Sequence, residues 1–285
     1  MFDPTRVVID AFVDTLKLTY QRTYGLLEPE FPSIIAFTGR MALENIANSD
    51  AAYHDVNHTI LVTDVGQEIL KGKQVTEGGV SPSDWMHFVI SLLCHDIGYV
   101  RGVCRGDGNG SYVIDLDGKT TTLPIGSTDV ALTPYHVARS KLFVREQFGC
   151  VRELQIAALE ANIEFTRFPV PANDESRATS SFPALLRAAD LIGQLADILY
   201  LKKASALFNE FREIGVHERL GYKTAADLRS AYPAFFWKMV SPYLQDALRF
   251  LQATQDGKYW IASLYANVFA VEHNALSLGP ETGPR

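Results

Sequence analysis

Cysteine is scarce: Cys94, Cys104 and Cys150 are the whole supply in 285 residues. An odd count with no metal or redox spacing points to a reducing compartment. Positive charge is short as well. Lys and Arg number 26 against 33 Asp and Glu, a formal net charge of −7. No Lys/Arg cluster breaks that balance, which argues against a nucleic-acid-binding surface. Long apolar runs are missing, so no membrane span is expected. Asp3, Arg6 and Asp10 interrupt any leader pattern, and a cytoplasmic location is expected. No internal repeat is visible. What the chain does have is a globular share of hydrophobic residues, 47%. That is ample for one large domain or two small ones.

Most of the chain carries helix signals. Asp3-Pro4 caps a first helix to about Arg22, and Ser33 to Ala47 makes a second. Helical spacing resumes from about His54 to Leu70. Within it His54 and His58 lie one turn apart on the face of Leu61, Val65 and Ile69, so both are expected to look inward. Lys71 to Gly79 reads as a loop. Ser81-Pro82-Ser83-Asp84 then supplies a Ser cap, a Pro at the first helical position and an early acid. Trp85, Phe88, Val89, Leu92 and Leu93 give the buried face of that helix. It runs into Leu92-Leu93-Cys94-His95-Asp96-Ile97-Gly98, with Gly98 as the expected stop. His95 and Asp96 thus fall in a last turn, where outward carbonyls and the negative end of the dipole favour a cation. An imidazole nitrogen and a carboxylate oxygen are suitable ligands for one.

Arg101 to Asp129 is poor in helix signals. Asp117-Gly118, flanked by Tyr112–Leu116 and Lys119–Leu123, predicts a β-hairpin near 111–124. The insertion is expected to lie as a flap beside the site. Gly106 to Gly110 follows no strand and opens no helix, so it reads as a flexible loop and not a phosphate loop. Thr133-Pro134 opens a helix to Phe148, with His136 in its first turn, where a surface or capping role is expected. Glu153 to Phe165 is helical, and Arg167 to Ser181 is a polar loop. Pro183 to Phe211 reads as one long helix carrying Asp190 and Asp197. Leu186 and Gly193 flank Asp190, and a carboxylate on that face is costly unless it is paired or metal-bound. A metal role is favoured for Asp190 over a salt bridge to Arg187 or to a Lys elsewhere, and is not favoured for Asp197. Helices from Thr224, from Ser241-Pro242 and over Tyr259 to His273 complete the pattern. His217 and His273 have no site-like neighbours. Residues 277–285 are expected to form a flexible tail.

His58, the His95-Asp96 doublet and the distant Asp190 resemble the signature of the HD-domain metal-dependent phosphohydrolase superfamily. Tyr53-His54-Asp55-Val56-Asn57-His58 is similar to the Tyr-His-Asn-x-x-His motif of class I cyclic-nucleotide phosphodiesterases. Ala189-Asp190-Leu191 is similar to that family's Ala-Asp-Leu. The similarity spans about Tyr53 to Tyr200. Asp55 stands where the phosphodiesterases have Asn, Tyr99 where they have a second His, and Asp64 falls later than their acid near the first metal His. No counterpart of their purine-binding glutamine is found. The resemblance therefore implies the superfamily and its metal rather than cyclic-nucleotide specificity.

What it implies is an all-α HD-domain helical bundle over residues 1–276, with a catalytic core of about 53–200, helical extensions at both ends and the one small hairpin. His58, His95, Asp96 and Asp190 would hold a divalent ion such as Mn, Fe, Ni, Zn or Mg. Asp96 would also act in catalysis and bridge to any second ion. His54 would be the general acid, a task suited to its ordinary pKa. Glu164, Asp55 and Tyr99 would support the site or touch substrate. Arg101, Arg105 and Arg167 are expected to supply surface charge. The implied function is metal-dependent hydrolysis of a phosphate ester of a nucleotide or similar small molecule. A deoxynucleotide or nucleotide phosphomonoesterase and a non-catalytic, metal-stabilised nucleotide sensor are the alternatives. The expected partner is a small phosphorylated substrate, and pairing of copies through the helical ends is compatible with the pattern.

Overall fold

The computed structural model describes residues 2–172 and 177–273. The described residues form an all-α architecture of twelve α-helices with one two-stranded antiparallel sheet. Its centre is α4 (Pro82–Cys94). Ser81 Oγ accepts from the Asp84 amide while the Asp84 carboxylate accepts from the Ser81 amide, so each satisfies the other's orphan donor. Every residue from Trp85 to Cys94 is buried. A helix apolar around its whole circumference belongs inside a bundle. Each side chain such as Phe88 or Leu92 contributes about 2 kcal/mol by leaving water.

Four helices surround α4: α2 (Phe31–Ile46), α3 (Val56–Thr76), α6 (Ile156–Glu164) and α7 (Phe182–Leu195). Outside them, α1 (Pro4–Tyr24) covers α2, and α5 (His136–Phe148) packs on α6 and on the turn that follows α4. The C-terminal helices are α8 (Tyr200–Glu213), α9 (Val216–Leu220), α10 (Ala225–Phe235), α11 (Gln245–Leu251) and α12 (Gln255–Glu272). Of these, α11 and α12 lie against α3 and α7, while α8 and α10 pack together. One apolar cluster of buried residues runs from Ile9 to Val268. The helices that carry His58 and Asp190, α3 and α7, approach closely. A Cβ on Gly193 would stand 2.7 Å from Val62 Cα, so only glycine lets these two backbones meet.

Several boundaries differ from the sequence reading, each for a local reason. Asp55 caps α3 by accepting from the His58 amide at 2.8 Å, so His54 precedes the helix rather than lying within it. At its other end α3 runs on to Thr76, through residues read as loop. α4 stops at Cys94, with His95 as its C-cap. Asp96 lies beyond it, and Gly98 sits in a 3₁₀ turn, Ile97–Tyr99, instead of ending the helix. The hairpin is shorter than expected: Ser111–Val113 pairs with Thr120–Thr122. Asp115 Oδ1 accepts from the amides of Asp117 and Lys119, which widens the turn beyond two residues. A 3₁₀ segment, Asp129–Tyr135, absorbs Thr133-Pro134, and α5 starts at His136.

The long helix expected over 183–211 is broken between α7 and α8. Asp197 turns back to accept from the Leu199 amide and Lys203 Nζ, and Asn267 Nδ2 donates to the carbonyls of Leu195 and Asp197. Asp197 therefore shapes a corner and ion-pairs with Lys203. Ser241–Tyr243 is a 3₁₀ turn, and α12 begins at Gln255 under a Thr254 cap. The expected tail at 277–285 lies outside the described residues.

Candidate metal centre

Three helices bring the site together. α3 carries His58 in its first turn, α4 delivers the His95-Asp96 doublet at its end, and α7 presents Asp190 from its interior. α5 fixes the doublet. Ser140 Oγ donates to the His95 carbonyl at 2.7 Å and accepts from the Gly98 amide at 2.9 Å. Arg139, wholly buried, donates to the carbonyls of Gly98 and Val100 and ion-pairs with Asp107 at 2.8 Å. Asp107 also accepts from the amides of Gly102 and Val113, which pins Gly106–Gly110 and the hairpin to α5. The glycine-rich loop read as flexible is therefore tied to the buried side of the site. Gly98 has no room for a side chain, because a Cβ there would fall on the His136 carbonyl.

The ligand geometry follows. His58 Nε2 and His95 Nε2 each lie 3.2 Å from Asp96 Oδ2 and 3.5 Å from Asp190 Oδ1. One ligand atom each from His58, His95 and Asp190 falls within 4.8 Å of the others, so this buried cluster could hold a metal ion. The hydrogen bonds of the two rings leave the donor set free for a cation. His95 Nδ1 lies 2.7 Å from the Leu92 carbonyl, which can only accept. The proton of the neutral ring is thereby placed on Nδ1, and Nε2 keeps its lone pair. Both Nε2 atoms are buried and have no hydrogen-bond partner, the carboxylates being close but out of line. Buried polar atoms left unpaired are rare and costly. Two nitrogens and two carboxylates around one point suit a divalent cation.

The electrostatics agree. Burial opposes charge on each of these groups, but the mutual attraction of imidazolium and carboxylate outweighs it. His58 and His95 are raised, Asp96 is held well below the usual carboxylate range, and Asp190 is lowered to about 2. The cluster thus requires positive charge at its centre, from protons or from a cation that displaces them.

At the rim stands His54. Its Nδ1 lies 2.6 Å from Glu210 Oε2, and Glu210 Oε1 accepts from the Tyr53 amide at 2.6 Å. Burial alone would discharge His54, yet Glu210, by charge and hydrogen bond, with help from Asp96 and Asp190, holds its pKa up to about 9. Tyr99 stacks on both His54, at 4.7 Å between ring centres, and His136, at 4.6 Å. His136 Nε2 faces Asp96 Oδ1 at 3.9 Å. Its surroundings lower its pKa, chiefly through burial.

The sequence reading placed His58, His95, Asp96, Asp190, His54 and Tyr99, and these do come together. Asp55 caps the helix bearing His58. Glu164 lies on α6, where its carboxylate pairs with Lys141 and Arg167. Arg187 does not pair with Asp190; its guanidinium lies over the Tyr243 ring at 4.4 Å and near Phe165. His136 is at the site, against the surface or capping role expected for it. Glu210 was missed. It lies 156 positions from His54 along the chain, and no local spacing marks it.

Fold and site define the class: an all-α protein with a buried His/Asp cluster fit for a metal ion. Within that class the chain belongs to the Npun_R2479-like family, whose family model matches residues 2–274. No curated protein matches it. Among the described residues no helix is long and apolar enough to cross a membrane. Membership carries no chemistry of its own, so function rests on the site.

Proposed function

We propose that this chain is a metal-dependent phosphohydrolase of the HD-domain kind, cleaving a phosphate ester of a nucleotide or similar small molecule. One observation carries the reading: two buried, unpartnered imidazole nitrogens meet two carboxylates beside a charged His54–Glu210 pair. His58, His95, Asp96 and Asp190 would hold the ion. When bound, a divalent ion there lowers the pKa of water and offsets phosphoryl charge. His54, held by Glu210 through Nδ1, keeps a second proton on Nε2 and gives it to the leaving oxygen. Glu210 then steadies the ring and its proton. Arg101 is engaged with Asp129 and Asp50, Arg105 with Glu146, and Arg167 with Glu164. An anionic substrate would therefore be met by the ion and His54 rather than by these arginines. A non-catalytic sensor has no need of a charged His54–Glu210 pair, which favours turnover.

The test is metal content of protein purified without chelator or an immobilised-metal column, alongside His58→Ala. The expected result is about one or two ions per wild-type chain, as the site's ligand set allows, lost in the variant. Wild type should then cleave a phosphomonoester or a cyclic phosphodiester, and the panel decides which class is preferred. Absence of metal after reconstitution with Mn, Fe, Ni, Zn and Mg would overturn the reading.

A further inference from the structure

His136 opens α5 and faces Asp96 Oδ1, whereas His58 and His95 face Oδ2. Its Nδ1 lies 2.6 Å from the Thr133 carbonyl. A carbonyl only accepts, so the proton of the neutral ring sits on Nδ1 and Nε2 carries a lone pair. That lone pair belongs to the nitrogen 3.9 Å from Asp96 Oδ1. Asp96 therefore looks two ways. Oδ2 meets His58 and His95 at 3.2 Å, while Oδ1 confronts His136. On this second side two acceptors face each other, too far apart for a hydrogen bond and with no donor of their own. Something with donors fits between them. The side chains of His54 and His136 remain 17% and 16% exposed, so solvent reaches this edge of the site.

We propose that His136 Nε2 and Asp96 Oδ1 hold the attacking water by its two hydrogens, with His136 taking one of them. The inference rests on the phosphohydrolase reading above. A water about 2.8 Å from each acceptor spans a gap of roughly 4 Å. Both its hydrogens are then committed, and its lone pairs turn away from both acceptors, left open for an incoming phosphorus and for the ion that would lower its pKa. In the step, a water O–H bond breaks and its proton passes to His136 Nε2. The water oxygen forms a new P–O bond. The P–O bond to the leaving group breaks, and that oxygen takes the proton from His54. Afterwards His136 returns its proton to solvent and His54 regains one, closing the balance. Tyr99, stacked on both imidazoles, sets the planes of the donor and the acceptor together.

Amide substitutions separate the two ring nitrogens. His136→Asn can keep the Nδ1 hydrogen bond to Thr133 but lacks the acceptor at Nε2, whereas His136→Gln places an amide near Nε2. Full-length wild type and both variants, reconstituted with Mn, would be compared for metal per chain, melting temperature and affinity for inorganic phosphate. Turnover would be read on bis(p-nitrophenyl) phosphate and p-nitrophenyl phosphate. The expected result is unchanged metal content and phosphate affinity in both variants. In the Asn variant kcat falls about 10²–10³-fold, the loss of a proton-transfer group, with little change in KM. The Gln variant, or imidazole added to the Asn variant, recovers part of it. An active wild type whose Asn variant keeps full kcat overturns the inference and leaves the phosphohydrolase reading standing. Loss of one metal equivalent in the Asn variant makes His136 a ligand and also overturns it. A metal-loaded wild type that cleaves neither probe overturns both.

Discussion

The two ends of α4 each offer a histidine to the interior, and the two are used differently. Near the start, His87 Nδ1 lies 2.6 Å from the Ser83 carbonyl and Nε2 accepts from the Gln155 amide at 2.8 Å. Both nitrogens are satisfied, and the ring ties α4 to the start of α6. At the far end His95 makes the same kind of Nδ1 bond, to Leu92, but its Nε2 is left unpaired before two carboxylates. Burial does not distinguish them, since both are inside. What distinguishes a structural histidine from a candidate ligand is the second nitrogen. A metal site is thus visible as a pairing that the fold leaves undone.

The largest effect that can break this contrast is metal loss. His95→Ala, like Asp190→Ala, is expected to abolish metal binding and reduce turnover to background, whereas His87→Ala keeps the wild-type metal content. Elemental analysis of the purified variants measures this. Metal retained in His95→Ala, or lost in His87→Ala, would reverse the roles assigned to the two ends.

A second step sharpens the distinction between holding a metal and moving a proton. His54→Ala is expected to keep its metal and lose turnover by about 10²–10⁴-fold. Glu210→Gln should act more mildly and in a pH-dependent way. Glu210 is the main support that offsets burial and holds His54 up to about 9. Without it the alkaline limb of kcat should move to lower pH, because the ring loses its proton earlier. A pH–rate profile with an unmoved limb would separate Glu210 from the acid.

Stability provides the next contrast. His87→Ala strands the Gln155 amide and leaves a gap between α4 and α6, an expected cost of about 1–3 kcal/mol. Gly193→Ala drives a methyl into Val62 at the α3–α7 contact, at a similar cost of about 1–3 kcal/mol. Because α3 and α7 carry His58 and Asp190, only the second change should also weaken metal affinity. Chemical denaturation with and without Mn separates the two.

The fold class was legible because apolar spacing and caps such as Ser81, Asp3 and Thr224 are local signals, and each recurs in the structure. The helix break at Asp197 was not legible, because Asn267 stabilises it from 70 positions along the chain. In the site, helical spacing marked His58 and Asp190 as inward-facing, and the resemblance to the HD-domain signature joined them with His95 and Asp96 as one set. His136 was present in the sequence as a lone residue with nothing nearby to mark it, and Glu210 reaches His54 only through tertiary packing of α8. The 106–110 loop carries no local mark of attachment, because its anchor, Arg139, lies in the next helix.

The smallest effect extends the contrast to two acids on core helices. Asp190, facing two histidines, is lowered to about 2; Asp64, on α3, has no such partners and is raised to about 6, by burial first and then by Glu68 and Asp256, against Lys71. A folded-state pKa above the unfolded value of about 3.9 means that folding favours protonated Asp64. That contribution is complete below about pH 4 and is lost as pH rises through about 6, leaving an ionised carboxylate in an unfavourable place. Asp64→Asn keeps the shape and removes the charge. It should therefore stabilise the chain at pH 7.5 by about 1–2 kcal/mol, discounting the full shift because the side chain is only partly buried, and by nearly nothing at pH 4. Thermal melts at the two pH values read the difference as a few degrees, roughly. Equal melting gains at both would mean that Asp64 ionises normally, and that unpaired burial on α3 carries none of the strain that Asp190 and its histidines resolve together.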